Sequence, residues 1–254
     1  MTSALTDAPA PTRTVRAPRD ARVLLIQVRG QEKALVHERY CVLEHVHIAA
    51  ESLVTHNVIF EPDIRWDDVR DADVVLIGGS GDHSATDDEA FTEPLAAVTQ
   101  RLYDEGVPTF GICWGHHFMA RALGGTVITD PESEEVGCFE VYMRPAAALD
   151  PLMSSFSNRF PANLVHHDRV AQLPSMAVDL AYSEACPYQI LRYGDGMAYS
   201  TQFHGEMDAD ELRTRLSMYR ESYVSDDQLQ AVLDSLRETP EAQQVLQRFF
   251  DLLG

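Results

Sequence analysis

Thr109-Phe-Gly-Ile-Cys-Trp-Gly-His-His-Phe-Met-Ala120 carries the sharpest local signal in the chain. Val107 to Ile112 is a short apolar run that reads as a strand, and His116 to Leu123 is an amphipathic helix closed by Gly124-Gly125. Between them stands Gly111-Ile-Cys113-Trp-Gly115, the cysteine form of the elbow that presents a nucleophile on a sharp strand-to-helix turn. Small residues two before and two after the cysteine leave room where strand and helix crowd together. The helix N-terminus then aims its N–H groups and positive dipole end at the sulfur, which favours the thiolate. The plain alternative for Cys113 is a small buried hydrophobe at a strand end.

Outward from the elbow, the pattern alternates. Arg22 to Val28 is a buried strand, Gln31 to Ser52 is helical with Leu35, Tyr40, Leu43, Val46 and Ile48 as its apolar series, and Asn57 to Phe60 is a second strand. Asp73-Val-Val-Leu-Ile77 is a third strand running into Gly78-Gly79-Ser80-Gly81, and Asp87 to Asp104 is a helix. Strands alternating with helices predict an α/β fold, a mostly parallel twisted sheet flanked by helices, with ligands at the carboxyl ends of the strands. From Thr126 to His204 short strands follow: 126–129, 137–143, 162–166, 177–182, 188–192 and 197–203. Asp208 to Leu253 is a helical C-terminal region. One domain over 21–254 is expected, preceded by a disordered tail over 1–20 that lacks the apolar stretch of a secretory signal. Its Arg content leaves a transit peptide as the lesser alternative.

The chain has 254 residues, 45% hydrophobic, with 20 Lys+Arg against 40 Asp+Glu and a formal net charge of -20. That balance argues against nucleic acid and anionic membrane surfaces as partners, and no run is apolar enough to span a bilayer. Four scattered cysteines, Cys41, Cys113, Cys138 and Cys186, without metal spacing, fit free thiols in a reducing, cytoplasmic setting. Cys41, Cys138 and Cys186 are expected to pack as inert thiols.

A cysteine nucleophile needs a base, and the base needs a group to orient it. Gln202-Phe-His204-Gly-Glu206 supplies both, because residues two apart in extended chain point the same way. The Gly78-Gly79-Ser80-Gly81 turn can bring a backbone N–H to a developing oxyanion without side-chain obstruction, with the N–H of Trp114 as the second donor. His116 and His117 point about 100° apart on a helix, and His166 and His167 face opposite ways in a strand, so neither pair shares a metal readily.

In combination these pieces resemble class I glutamine amidotransferases of the single-domain kind. The matching stretches are 73–80, the elbow 111–116, His166-His-Asp-Arg-Val-Ala-Gln-Leu-Pro174 and Gln202-Phe-His-Gly-Glu206. The resemblance covers about residues 21 to 206 and implies a flavodoxin-like sheet. It implies a Cys113–His204–Glu206 triad, a γ-glutamyl thioester on Cys113, an oxyanion hole from Gly79 and Trp114, and no metal or cofactor. Gly78, Ser80, His117, His166, His167 and Asp168 would line the bound glutamyl group. The implied partners are glutamine or a γ-glutamyl small molecule, and a separate ammonia-accepting synthase. Two departures stand out: His117 occupies a position where the family usually has Gln, and Gly205 one where it usually has Pro. The first tilts the expected substrate toward a γ-glutamyl amine or small peptide. A non-catalytic binding protein keeping the fold is the remaining alternative, as is another cysteine hydrolase with an elbow.

Overall fold

A computed structural model of the chain describes residues 21–219 and 226–254. The tail expected over 1–20, and the part of the C-terminal region over 220–225, lie outside those residues. Eleven strands are present: β1 Val23–Gln27, β2 Leu53–Asn57, β3 Val74–Ile77, β4 Thr109–Ile112, β5 Thr126–Thr129, β6 Glu135–Met143, β7 Arg159–His166, β8 Asp168–Gln172, β9 Ala177–Tyr182, β10 Ile190–Tyr193 and β11 Ala198–Thr201. The α-helices are α1 Glu32–His45, α2 Trp66–Val69, α3 Thr92–Asp104, α4 Trp114–Ala122, α5 Ala209–Met218, α6 Asp226–Ser235 and α7 Pro240–Asp251.

One nine-stranded sheet runs in the order β2-β1-β3-β4-β11-β10-β9-β6-β7. From β2 to β11 all neighbours are parallel; from β11 to β7 all are antiparallel. The parallel part is the expected α/β sheet. Its inner strands are buried on both faces, as parallel strands under helices must be. Alternate residues of β1 face opposite cores. Val23 and Leu25 join the cluster containing Val42, Val245 and Phe249, whereas Leu24 and Ile26 join the one containing Leu95, Phe118 and Met119. The chain order reverses between β1 and β3, so the crevice where a ligand belongs opens above the carboxyl ends of these strands and β4.

Several boundaries differ from the sequence pattern. α1 stops at His45, because Val46 adopts an extended conformation, and its buried face carries Ala34, Glu38, Cys41 and Val42 while Tyr40 is exposed. The second strand is 53–57 rather than 57–60, with a 3-10 turn at Ala50–Ser52 before it. α3 begins at Thr92, not Asp87; Pro94 then falls in the first turn, where its missing N–H costs nothing. β8 was not expected, and it pairs with β5 as a separate two-stranded ribbon.

Candidate active site

Cys113 is the N-cap residue of α4 and the only residue other than glycine with positive φ among the described residues (φ 53, ψ -101). The junction forces this conformation. The Cys113 N–H donates to Thr201 O at 2.8 Å, continuing the β4–β11 ladder, while the Cys113 carbonyl already accepts from His116 N at 3.0 Å. The chain must turn from strand to helix within a single residue. The flanking glycines are required by contact. A methyl group on Gly115 would lie 2.1 Å from Ile77 O, and one on Gly111 would lie 2.6 Å from Gly115 O. The elbow is therefore as the sequence predicts, except that α4 starts at Trp114.

β11 is the neighbour of β4, so the turn after Thr201 comes to Cys113. His204 Nδ1 is 2.8 Å from Glu206 Oε1, and the Cys113 thiol, which itself donates to Val165 O at 3.5 Å, lies near enough to act on the His204 charge. The pair sits in the turn beyond the strand rather than in an extended segment, because α5 starts soon after with Asp208 as its cap. Burial disfavours the imidazolium, but Glu206 and Cys113 outweigh it and hold His204 at about 10. Burial likewise opposes ionisation of Glu206, and His204 outweighs it, leaving that carboxyl below its usual range. Gly205, in place of the usual proline, faces α7: a methyl group there would stand 2.8 Å from Ala242 O. The close approach of that helix to the triad turn accounts for the substitution.

A cavity of about 410 Å³ opens beside Cys113 and is lined by Ser80, Trp114, His117, His166, His167 and Asp168, among others. These predicted residues are brought together. Gly79 is not on that wall but packs against Cys113 and His204, its α-carbon face directed at His204 Cε1 and Cys113 Cβ. Gly78 lies deeper still, accepting the Gly115 N–H at 3.1 Å and facing Glu38. The carboxylate of Asp168 is engaged by Thr129 Oγ1 (2.6 Å), Ser84 Oγ (2.6 Å) and Ala85 N (3.0 Å). It anchors the loop after β3 to β5. His166 Nδ1 donates to Asp168 O at 2.8 Å, and His167 meets Glu134 at the rim.

His117 donates through Nε2 to Gln202 Oε1. Burial, then the neighbouring His166, pushes His117 down to about 4, so this position presents a neutral ring. His116 lies in the core, bonded to Ser200 Oγ at 2.8 Å, and burial holds it well below its ordinary value. As pH falls below about 6.5 the unfolded chain protonates these rings and the native one does not, so stability falls. Between about pH 7 and about pH 4.5, wild type is expected to lose roughly 2–3 kcal/mol more than His117→Gln, measured by urea unfolding. Equal losses would show that His117 is not held neutral.

The sequence pattern missed Asp82, His83, Ser84 and Thr129 on the cavity wall. In the loop, Ser84 and the Ala85 N–H bond Asp168, and Thr129 meets the same carboxylate from β5. Cys41 and Cys186 are buried, and burial raises both thiols, Cys186 to about 12. Two groups bring potential metal ligands together: Glu135, His166 and Cys186, and His45, Asp208 and Glu211. Glu135 Oε2 is already taken by His166 Nε2 (3.1 Å) and Gln189 Nε2 (2.7 Å). Glu211 Oε2 is taken by His45 Nε2 (2.6 Å) and the Asp208 N–H (2.8 Å) within the cap of α5. No described helix is long and apolar enough to cross a membrane.

A cysteine on a strained elbow beside a carboxylate-oriented histidine is an arrangement suited to acyl transfer in α/β enzymes. The family model for glutamine amidotransferase class-I matches residues 36–218. The GMP synthase [glutamine-hydrolyzing] of Aliivibrio fischeri (strain MJ11) is 30% identical over 190 residues, 74% of this chain and 33% of that protein. The chain thus spans about a third of the length of the curated relatives it matches. A glutamine amidotransferase from Thermotoga maritima superposes with a TM-score of 0.72 at 19% identity, covering 92% of this chain and 98% of that one. One from Methylobacillus flagellatus gives a TM-score of 0.64 at 20% identity, with 92% and 89% covered. The chain belongs to the class-I glutamine amidotransferase family, and as such is an amidohydrolase acting on a carbon–nitrogen bond.

Proposed function

We propose that the chain hydrolyses the γ-amide of glutamine through a γ-glutamyl thioester on Cys113. The Cys113–His204–Glu206 arrangement, with the 2.8 Å His204–Glu206 bond, is the observation that carries this reading. The Cys113 thiolate attacks the γ-carbonyl carbon, and the carbonyl oxygen takes the negative charge against the N–H groups of Gly79 and Trp114. The carbon–nitrogen bond breaks as the His204 imidazolium gives its proton to the departing nitrogen, releasing ammonia. Water then gives a proton back to His204 and its oxygen to the thioester carbon; the carbon–sulfur bond breaks, and glutamate leaves. Glu206 holds the imidazole in one tautomer and balances its charge throughout. The ammonia passes to a separate synthase, a role suggested by the glutamine-hydrolyzing GMP synthases to which the chain is similar.

One observation favours a second substrate within the same chemistry. The neutral His117, tied to Gln202, replaces a glutamine side chain at the cavity wall, which favours a γ-glutamyl amine or small peptide over glutamine itself.

A γ-glutamyl diazoketone, followed by intact-mass and peptide mass spectrometry, tests the shared step. The expected outcome is one label per chain, on Cys113, and none on Cys113→Ala. Failure to label while iodoacetamide still alkylates Cys113 would reject a γ-glutamyl pocket. Comparing ammonia release from glutamine with amine release from a γ-glutamyl alkylamine then separates the two substrates.

A further inference from the structure

Arg29 follows β1 at the point where the chain order reverses, and both it and Glu38 of α1 are buried. Their side chains are each 2% exposed and meet at 2.7 Å, Arg29 Nη2 to Glu38 Oε1. Gln27 Nε2 donates to the other carboxylate oxygen at 3.0 Å and also to Leu35 O, fixing α1 against the sheet. Arg29 Nη1 reaches Tyr219 OH at 3.5 Å. Burial works against the guanidinium charge, but Glu38 and then Tyr219 outweigh it and hold Arg29 above its ordinary value.

The loop after β3 lies directly on this pair. A methyl group on Gly78 would stand 2.6 Å from Glu38 Oε1, one on Gly79 3.2 Å from Arg29 Nη2, and one on Gly81 2.5 Å from the Tyr219 ring. Three glycines thus touch three members of one buried polar cluster, while Gly79 also touches the catalytic pair. A buried ion pair contributes little to stability compared with well-packed apolar residues of the same size, so its value lies in fixing one geometry.

We propose that Arg29 and Glu38 are positioning residues that hold the Gly78–Gly81 loop so that the Gly79 N–H meets the developing oxyanion. This rests on the assignment of Gly79 to the oxyanion hole made above. One arm of the guanidinium is held by Glu38 and the other reaches Tyr219, so the planar group is fixed where it packs against Gly79.

The test compares two reactions of the same sulfur. Acylation by p-nitrophenyl acetate passes through an oxyanion; alkylation by iodoacetamide does not, and reports only the thiolate. Arg29→Met alone would strand the buried Glu38 carboxylate, so the double variant Arg29→Met/Glu38→Gln removes both charges together. It is expected to be acylated at least about 10-fold more slowly than wild type while its alkylation stays within about twofold. Arg29→Lys, which keeps charge but loses the fork, should fall between the two. If the double variant does not fold, Arg29→Lys is read by the same ratio. A ratio of acylation to alkylation within about threefold of wild type, or both rates falling together, overturns the proposal. Wild type that is acylated by the ester but releases no ammonia from glutamine would overturn the proposed function and leave this inference standing.

Discussion

Cys113→Ala is expected to lower amide hydrolysis by about 10⁴-fold or more, because the proposed thioester cannot form without the Cys113 sulfur. Residual turnover above about 1% of wild type would point to another attacking group and would remove Cys113 from the centre of the mechanism. The same position makes a second, independent prediction about stability. With φ 53 and ψ -101, Cys113 occupies a backbone region that a side chain resists, at a cost of roughly 1–3 kcal/mol. Alanine keeps that strain and glycine relieves it. Cys113→Gly should therefore be more stable than Cys113→Ala by about 1 kcal/mol, even after the larger entropy of glycine in the unfolded chain is counted. Chemical denaturation of the two inactive variants measures the difference. Equal stabilities would mean that the elbow is relaxed.

Gly115→Ala is expected to cost about 3 kcal/mol or more and to remove activity as well. The added methyl would lie 2.1 Å from Ile77 O and 2.9 Å from Ile77 C, which are backbone atoms of β3 and cannot rotate away. The Gly115 N–H bond to Gly78 O ties α4 to that same strand end. α4 can accept the methyl only by lifting from the sheet, and Cys113 and Trp114 move with it. Gly30→Ala is the matched control, since a methyl there meets nothing within 4 Å. Thermal melting and ammonia release on both variants decide the matter. A Gly115→Ala protein with native stability and turnover would contradict the close packing of α4 on β3.

The parallel half of the fold was legible because its strands are continuous apolar runs between glycine turns. Residues such as Val74 to Ile77 have no other stable place. The elbow was legible for a stronger reason: Gly111, Cys113 and Gly115 are each set by a contact within a few residues or one strand away. Less visible were features that depend on distant partners. β8 pairs with β5 across a separation of about forty residues, and its short alternating sequence resembles a loop. α1 buries Glu38 where a hydrophobic series would be expected, and only Arg29 and Gln27, brought beside it by β1, make that tolerable. Of the apolar series drawn through this segment, Val46, Leu43 and Ile48 do meet the core, and Tyr40 is the member that faces out. At Gly205 the limit on side-chain room comes from the carbonyl of Ala242, a partner about forty residues away that no local pattern reveals.

The order in which the sheet is filled has a bearing on how the protein is made. β4 leads directly into Cys113, and its neighbour β11, which leads into His204 and Glu206, comes last in chain order among the described strands. On an emerging polypeptide the thiol waits without its base while some ninety residues are added. β11 must then enter between β4 and β10, closing the gap between the parallel and antiparallel halves. On the proposed mechanism, the sulfur of a nascent or misassembled chain has no base beside it until β11 docks on β4.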